Sequence, residues 1–459
     1  MAIPRKTISR RNFFGGLAAA SAAFAILPQG LVAGTNTRKP RKLKPGDRMN
    51  IAAVGIGGMG KSNLRALESE NIAALCDVDD AIAEKVYAAY PKAKTYRDFR
   101  ILLEKEKYID GVVVATPDHT HAVVAMAAMQ LGKHVYVQKP LTRLVSEARA
   151  LTEAARRYGV VTQMGNQGHS GEPIRMLCEM IWTGAIGPVH EIHTWTNRPI
   201  WPQGVPTRPP GAVCPPALDW DLWLGPSPVR DFDPAYHPFA WRGWWDFGSG
   251  ALGDMGCHII DLPFMAMKLK YPVSVEARVS DIVGPAPKWN KMQNRETFPD
   301  ASIVHYQFPA RGDMPPVKLI WYDGGLMPPT PDELEPGRKL PNGGLLIVGE
   351  KGKILSGGTD DGPRLIPESA MQAYARPAKT LPRIEGSHEM NWVQACKGGP
   401  SPTAAFDYAG PLTETIVMGN LAVAFPGQKL EWDGENMRVT NLAEANDFVQ
   451  MHYREGWSL

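Results

Sequence analysis

Two polar side chains share one face of the segment GALGDMGCHIID, residues 250–261, which is otherwise mostly apolar. Asp254 and His258 are four positions apart, so on a helix they lie about one turn from each other on the same side. Gly253 and Gly256 each cost a helix roughly 1 kcal/mol relative to alanine, which suggests that another molecule approaches the backbone closely. The pattern indicates a helix that presents a carboxylate and an imidazole to a ligand. A histidine that only packs inside the protein would fit the spacing as well.

A glycine-rich stretch, NIAAVGIGGMG at residues 50–60, is the second chemical signal. It follows a strand-like apolar run and precedes a plausible helix, which is the context of a GxGxxG turn that binds a dinucleotide. Such glycines permit a tight turn and a close approach to the pyrophosphate, whose charge the helix amino terminus favours. An ordinary glycine-rich turn is the alternative. The cofactor contacts predicted in this turn are Gly55, Gly57, Gly58, Met59 and Gly60.

An acidic residue follows at the spacing that such a turn requires. Asp77 ends the next apolar strand, NIAALCD, about 20 residues after Gly55, where a carboxylate accepts hydrogen bonds from the adenosine ribose. Val78 and Asp79 come next rather than an arginine, so the 2′-phosphate of NADP would meet like charge. The sequence therefore favours NAD as the cofactor.

Two further strands should place polar residues at the same edge, because the carboxyl ends of parallel strands line the ligand crevice of an open α/β sheet. A lysine at such a strand end can hydrogen-bond a reacting hydroxyl and lower its pKa, although a surface lysine is the usual alternative. The residues predicted there are Thr116, Pro117, Asp118 and His121 in DGVVVATPDHTH, and Gln138 and Lys139 in HVYVQKPLT.

These segments, taken in order, resemble the Gfo/Idh/MocA oxidoreductase family: GIGGMG, LCDVD, VATPDHTHA, GKHVYVQKPLT and GALGDMGCHIIDL. The resemblance runs from about Arg48 to the carboxyl terminus. It implies an α/β protein with a parallel, doubly wound Rossmann domain and a second α/β domain that has a large open, mostly antiparallel sheet. The family's catalytic lysine, in an EKP motif, falls on Lys139, and its Asp-x-x-x-His pair falls on Asp254 and His258. Gln138 stands where the family has glutamate, which removes a negative charge beside the lysine.

The resemblance assigns a role to each of these residues. Oxidation of a secondary alcohol requires loss of the hydroxyl proton as a hydride leaves carbon, so a base must lie beside that hydroxyl. His258 is the expected base, since the intrinsic pKa of histidine is near neutral. Lys139 would hold the developing alkoxide, and Asp254 would orient the sugar or the lysine.

The second half of the chain supplies the predicted substrate contacts. The stretch VTQMGNQGHSG ends a further strand in polar groups, and residues 200–247 are dense in proline and tryptophan, as functional loops or lids often are. Alternating strands from VHEIHTWTNRP onwards predict an open sheet that serves as a homo-oligomer interface, and NLAEANDFVQMHYREGW predicts a terminal helix. The predicted substrate-binding residues are Asn166, Gln167, His169, Tyr236, Arg242, Trp244 and Trp245.

The amino terminus resembles a twin-arginine export signal. Paired arginines in SRRNFF precede an apolar run at residues 15–27 that is short for a membrane span, with an uncleaved anchor as the alternative. The protein is expected to be exported folded, to be periplasmic or otherwise extracytoplasmic, and to keep no stable span after processing. The predicted organisation is a signal peptide at 1–33, a basic linker at 34–48, an NAD-binding Rossmann domain at 49–170 and a substrate and oligomerisation domain at 171–459.

Composition narrows the class of partner. The 459 residues include 50 basic and 47 acidic side chains, a balance that makes no case for nucleic acid. Five cysteines without paired spacing, and histidines without a third positioned ligand, predict no disulfide framework and no metal. The 13 tryptophans suit either a sugar pocket or packed loops.

Three functions remain open at this point. The leading hypothesis is an exported NAD-dependent sugar or glycoside dehydrogenase, which transfers a hydride from a ring hydroxyl to tightly bound NAD. The alternative is a redox-assisted, NAD-dependent glycosidase that oxidises, eliminates and re-reduces its substrate. The third is a non-catalytic sugar- or dinucleotide-binding protein.

Overall fold

The computed structural model describes residues 39–283, 291–292, 296–358 and 361–459. The predicted signal peptide, residues 1–33, lies outside that part of the chain. No helix within the described ranges is both long and apolar enough to cross a membrane.

The described part of the predicted linker lies against the body of the protein. Arg41 forms an ion pair with Asp110 at 2.7 Å, and Leu43 belongs to a buried apolar cluster with Ile51 and Trp392. Residues 39–48 therefore pack on the first domain, because their apolar and charged side chains both find partners there.

The first sheet consists of parallel strands joined by helices. Its strands are β1 (Asn50–Val54), β2 (Asn71–Cys76), β3 (Lys94–Tyr96), β4 (Gly111–Val114), β5 (His134–Val137) and β6 (Thr162–Met164). Its helices are α1 (Gly58–Ala66), α2 (Asp80–Ala89), α3 (Phe99–Lys105), α4 (Asp118–Gln130) and α5 (Val145–Tyr158). The strands lie in the order β3-β2-β1-β4-β5-β6. The chain thus winds outwards from β1 in both directions, which leaves a crevice at the carboxyl ends of β1 and β4.

Local sequence explains these elements. Strands β4 and β5 read GVVV and HVYV and are buried throughout, as parallel strands covered by helices on both faces must be. Asp79 and Asp98 cap α2 and α3, because their carboxylates accept hydrogen bonds from free N–H groups of the first turn.

The second sheet is mostly antiparallel and larger than the first. Its strands are β7 (Val189–Trp195), β8 (Ser274–Val279), β11 (Ser302–Phe308), β12 (Val317–Tyr322), β13 (Gly344–Gly349), β14 (Gly352–Ser356), β15 (Arg364–Ile366), β16 (Lys429–Asp433) and β17 (Arg438–Val439), while β9 (Ile282–Val283) and β10 (Lys291–Met292) form a separate ribbon. The order is β15-β14-β13-β7-β12-β11-β8-β16-β17, and β7 and β12 run parallel. The two sheets confirm the predicted fold class.

Helices of the second half connect the two sheets. They are α6 (Glu172–Trp182), α7 (Trp220–Leu224), α8 (Gly250–Ile259), α9 (Asp261–Ala266), α10 (Glu368–Ala373), α11 (His388–Cys396) and α12 (Phe406–Ala424). Trp392 of α11 is fully buried in the core of the first sheet, next to Tyr136. Arg149 of α5 forms an ion pair with Glu414 of α12 at 2.7 Å. The chain therefore returns to the first domain before it adds β16 and β17, the last two strands of the second sheet.

The predicted terminal helix is wrong. Only residues Ala443–Phe448 form a short 3-10 helix, and the chain after them is extended or turned. The Asn446 side chain bonds both the N–H and the oxygen of Val439, and the following residues bond to the first domain. These contacts compete with the main-chain hydrogen bonds of a helix.

Candidate active site

A cleft of about 590 Å³ runs along the carboxyl ends of the first sheet. Residues that follow β3, β2, β1, β4 and β5 form one wall. Parts of residues 222–242, Asp254 of α8 and Trp457 form the other. A ligand in this cleft would contact both domains.

The glycine turn lies at the centre of the cleft. Gly55 has a φ of +77°, and a side chain there would lie 2.7 Å from the backbone of Ala115. Helix α1 begins in this turn with no acidic residue in its first turn and no side-chain cap, so its N–H groups are available to an anion. Gly60 does not line the cleft: a Cβ there would lie 2.0 Å from the Gly55 oxygen, so its role is close packing. The residues of this turn that line the cleft are Gly55, Gly57, Gly58 and Met59.

Asp77 lies at the end of β2 and lines the cleft. Its carboxylate accepts hydrogen bonds from the N–H groups of Ile56 at 2.9 Å and Asp79 at 3.1 Å. Burial raises the pKa of Asp77, and these hydrogen bonds oppose the rise. The carboxylate is therefore held rigidly beside the glycine turn.

Two polar atoms of the cleft lack partners within the described chain. The hydroxyl oxygen of Thr116, after β4, is buried without a hydrogen bond, and so is Nδ1 of His237. Both residues line the cleft. Nε2 of His237 lies 2.7 Å from Asp79, so the second domain contacts the first directly beside the Asp77 carboxylate. Unsatisfied buried polar atoms are costly, and a polar ligand would satisfy these.

An ion pair joins the two domains inside the cleft. Nζ of Lys139, which follows β5, donates to Oδ1 of Asp254 at 2.9 Å and to its main-chain oxygen at 2.8 Å. Nε of Arg242 lies 3.5 Å from the same Oδ1. Burial acts to raise the pKa of Asp254, but the charge of Lys139, followed by that of Arg242, lowers it below its ordinary value. Asp254 is therefore ionised at neutral pH.

His258 lies on the same helix as Asp254 but one turn behind the cleft. It is half-buried, it is absent from the cleft lining, and no hydrogen bond from a described residue holds its imidazole. Burial, assisted by the charge of Lys139, lowers the pKa of His258 to about 4. The imidazole is therefore neutral near pH 7, as a proton acceptor must be.

Gln138 belongs to a buried network that ends in a carboxylate. Its Nε2 donates to Oδ1 of Asn63 at 3.0 Å, and Nδ2 of Asn63 donates to Oε1 of Glu389 at 2.8 Å. Since a carboxylate only accepts, Glu389 fixes the orientation of both amides. Glu389 comes from α11, so a carboxylate from a distant part of the sequence ends the network.

The residues after β4 divide into two groups. Thr116, Pro117 and Asp118 line the cleft, and Asp118 accepts a hydrogen bond from Ser249 at 2.6 Å. The prediction for His121 is wrong. Its ring nitrogens lie 2.8 Å from the oxygens of Pro140 and Thr116, so the imidazole is buried and supports the wall of the cleft from behind.

The polar residues after β6 do not line the cleft. Nδ2 of Asn166 donates to Asp261 at 3.0 Å, and Nδ1 of His169 lies 3.0 Å from both oxygens of the same carboxylate. The Tyr408 hydroxyl donates to it at 2.6 Å. Asp261 thus gathers Asn166 and His169 into a buried network, in which Oδ1 of Asn166 has no partner among the described residues. Gln167 is half-buried beside them.

The proline- and tryptophan-rich segment contributes Arg242 to the cleft. The guanidinium lies 4.2 Å from the ring centroid of Trp241, 4.7 Å from that of Phe239 and 5.9 Å from that of Trp201. These aromatic contacts hold the arginine beside Asp254. Arg242 therefore lines the cleft, and its contact with a substrate stays a prediction.

The other aromatic residues predicted to contact substrate face elsewhere. The Tyr236 and Trp244 rings are buried against each other at 4.7 Å, and Trp244 Nε1 donates to the Ala235 oxygen. Trp245 packs against Phe298 with the rings tilted and their centroids 3.7 Å apart, and it lines a separate cavity of about 200 Å³. These predictions are wrong, because packing satisfies all three side chains.

Sequence reasoning missed several residues of the cleft. Composition indicated that some tryptophans would contact a ligand, but no spacing distinguished them from those in the core. No local signal pointed to the residues after β3 or to the carboxyl-terminal segment. The residues missed include Arg97, Phe99, Trp223, Trp241 and Trp457.

The cleft lies between two domains and is lined by the glycine turn and Asp77. Fold and site together define a two-domain dinucleotide-binding protein. Residues 49–166 match the family model described as "Oxidoreductase family, NAD-binding Rossmann fold". Residues 191–296 match "Oxidoreductase family, C-terminal alpha/beta domain". Both domains are therefore similar to those of the Gfo/Idh/MocA oxidoreductase family, and the first is an NAD-binding domain, in agreement with the predicted cofactor.

Curated relatives match part of the chain. The levoglucosan dehydrogenase of Pseudarthrobacter phenanthrenivorans is 25% identical over 226 residues, which is 47% of this chain and 50% of that protein. An inositol 2-dehydrogenase of Salmonella typhimurium is 30% identical over 154 residues, 32% of this chain and 45% of that protein. A glycosyl hydrolase family 109 protein of Solibacter usitatus is 32% identical over 161 residues, 31% and 36% of the two chains. The chain spans half or less of the length of these relatives.

Solved structures share the fold over most of the chain. The WlbA dehydrogenase from Bordetella pertussis, in complex with NADH and UDP-GlcNAcA, has a TM-score of 0.59 at 17% identity and covers 84% of this chain and 99% of its own. Levoglucosan dehydrogenase in complex with NADH and levoglucosan has a TM-score of 0.54 at 18% identity, with the same coverage.

Proposed function

We propose that the protein is an NAD-dependent oxidoreductase that oxidises a ring hydroxyl of a sugar or glycoside. The observation that carries this proposal is the hydrogen bond between Lys139 and Asp254, because it joins an ammonium group of the NAD-binding domain to a carboxylate of the second domain inside one cleft. The match of both domains to models of the Gfo/Idh/MocA family supports the proposal, as do relatives that bear the names of levoglucosan and inositol dehydrogenases.

The cleft suits a dinucleotide. The uncapped start of α1 offers N–H groups to a pyrophosphate, and Asp77 offers a carboxylate to ribose hydroxyls. The buried Thr116 hydroxyl, which lacks a partner among the described residues, could bond a polar group of the same ligand. When bound, NAD supplies the acceptor for a hydride.

Lys139 and Asp254 both line the cleft and can act on a substrate hydroxyl. An ammonium group carries three protons, and Lys139 directs two hydrogen bonds at Asp254, so a third proton can be donated to the hydroxyl oxygen. The ionised Asp254 holds the ammonium in position. As the hydroxyl loses its proton, Lys139 stabilises the negative charge on the oxygen.

His258 is kept as the proposed acceptor of the hydroxyl proton on the family resemblance, because its imidazole does not line the cleft in this structure. It lies one turn from Asp254, and its lowered pKa of about 4 keeps the imidazole unprotonated at neutral pH. The rings of Trp241 and Phe239 line the same end of the cleft as Arg242. Aromatic rings pack well against the apolar face of a sugar, which favours a carbohydrate substrate.

Product analysis tests this function. The full chain is purified, and bound dinucleotide is released and identified by mass. A separate, untreated portion of the protein is incubated, with NAD added, with a panel of free sugars and p-nitrophenyl glycosides. A product lighter by two hydrogens is expected, and Lys139→Ala should abolish it. Lys92→Ala, at an exposed lysine, is the matched control and should leave it unchanged.

The same panel separates the other functions. Release of p-nitrophenol without net NADH would favour the redox-assisted glycosidase. Ligand binding without any change in mass, unaffected by Lys139→Ala and His258→Ala, would favour a binding protein and overturn the proposal.

Export and self-association complete the proposal. The twin-arginine-type segment SRRNFF supports export of a folded, NAD-loaded protein to an extracytoplasmic compartment, tested by fractionating cells that express the chain with Arg10 and Arg11 replaced by lysine. The second sheet is the proposed contact for homo-oligomerisation, because its face opposite α12 carries the partly exposed Glu191–Lys318 ion pair. Light scattering of the purified protein tests that contact.

A further inference from the structure

Residues 449–459, which we call the C-terminal strap, cross from the first domain to the second. The Tyr453 hydroxyl donates to Glu147 of α5 at 2.6 Å. Arg454 donates to the main-chain oxygen of Asp221 at 2.6 Å, and its N–H donates to the oxygen of Pro226 at 3.2 Å. The strap is therefore fastened to α5 on one side and to the start and end of α7 on the other.

These bonds place Trp457 in the wall of the cleft. Its ring centroid lies 6.2 Å from that of Phe99, at the start of α3. The guanidinium of Arg100 lies over the indole at 4.8 Å, and that of Arg454 lies 5.9 Å from it. The indole is thus held in place by the protein before any ligand arrives.

The strand order identifies which end of the cleft Trp457 lines. Lys139 follows β5, whereas Asp77 follows β2 and Phe99 follows β3, on the opposite side of β1 and β4. A dinucleotide whose adenosine ribose contacts Asp77 has its purine near that same side. Trp457 and Phe99 are the aromatic residues next to this position, far from the ion pair with Asp254.

We propose that Trp457 forms one wall of the adenine compartment and that the C-terminal strap holds the adenosine half of NAD. The inference rests on the proposed use of NAD but is independent of the substrate. An aromatic ring that packs on a nucleic acid base contributes enough that its loss weakens binding by roughly tenfold or more.

Binding measurements with each half of the cofactor test the proposal. Wild type and Trp457→Ala, each freed of bound dinucleotide, are titrated by calorimetry with ADP-ribose, which carries the adenosine half, and with nicotinamide mononucleotide. Trp457→Ala should bind ADP-ribose about tenfold more weakly and nicotinamide mononucleotide unchanged. Phe448→Ala is the matched control, since this exposed aromatic residue of the preceding turn packs on Phe425 and lies outside the cleft. It should leave both affinities unchanged.

Two further variants separate a local role from a loss of folding. Trp457→Phe keeps an aromatic ring and should recover most of the affinity for ADP-ribose. Arg454→Ala releases the strap but keeps the indole, and it should weaken ADP-ribose binding in the same direction. Wild-type affinity for ADP-ribose in a folded Trp457→Ala protein would overturn the proposal. If the wild type bound neither half, the proposed function itself would fail.

Discussion

Replacement of Lys139 by methionine tests the central ion pair without requiring a known substrate. Nζ lies 2.9 Å from Oδ1 of Asp254, and Nε of Arg242 lies 3.5 Å from the same atom. At an effective dielectric constant of about 20, these distances correspond to attractions of about 6 and about 5 kcal/mol before desolvation. Loss of one partner of a buried pair usually costs about 3–5 kcal/mol. Because Arg242 still compensates Asp254, we expect Lys139→Met to lower the free energy of unfolding by about 1–3 kcal/mol.

A double-mutant cycle isolates the interaction. Urea unfolding at pH 7 is measured for the parent, Lys139→Met, Asp254→Asn and the double variant. The double variant should be less destabilised than the two single changes together predict, with a coupling energy of about 1–3 kcal/mol. The pKa of Asp254, which Lys139 lowers against burial, should rise in Lys139→Met. The deficit of that variant should therefore shrink as pH falls and the carboxyl becomes protonated.

Two results would refute this reasoning. Additive effects of the two substitutions would mean that the side chains do not interact in solution. A deficit that grows on acidification would mean that Asp254 carries no charge at neutral pH.

Other perturbations have equally definite outcomes. Burial holds the pKa of His258 near 4, so His258 should not titrate near pH 6.5 in the pH profile of kcat/KM. An inflection near 6.5 that disappears in His258→Gln would contradict this prediction. Burial lowers the pKa of His119 to about 3 and that of His388 to about 4, so the unfolded chain binds protons first below pH 6.5. Stability should then fall between pH 6.5 and 4 by up to about 1.4 kcal/mol per pH unit for each histidine, and thermal unfolding in that range checks the slope. Glu389→Gln should leave the side-chain amides of Asn63 and Gln138 without a fixed orientation and weaken NAD binding severalfold in calorimetry. An unchanged affinity would mean that Glu389 has only a packing role. Gly60→Ala should destabilise the fold by about 3 kcal/mol, because its new methyl group would meet the Gly55 oxygen, and unaltered urea unfolding would count against the turn geometry.

The parts of the site that could be predicted depend on spacing within a short segment. The glycine turn and Asp77 belong to one βαβ unit, so their chemistry is contained in about 30 consecutive residues. Lys139 and Asp254 are far apart in sequence. Lys139 follows β5 and Asp254 lies on α8, and the fold class determines where both elements lie. Their meeting in one cleft follows from that architecture.

Other assignments depended on side-chain direction, which a single sequence does not specify. The sequence allows His121 to face either the cofactor or the protein interior. In the structure it faces the interior, because its ring nitrogens bond to two main-chain oxygens. Asn166 and His169 bond to Asp261, a carboxylate from a helix about 90 residues later. Trp457 lies more than 350 residues beyond Phe99, so no local pattern could link them. Tertiary partners of this kind appear only when the chain is folded.

The return of α11 and α12 to the first sheet has a practical consequence for engineering. A fragment excised at residue 170 would lose Trp392, which is fully buried beside Tyr136, and would leave Arg149 without Glu414. Its exposed apolar patch would favour aggregation. A chimera that takes its second domain from a relative must therefore keep residues 388–424 of the parent together with the first domain. The two domains share packing residues, so neither can be exchanged as an independent unit.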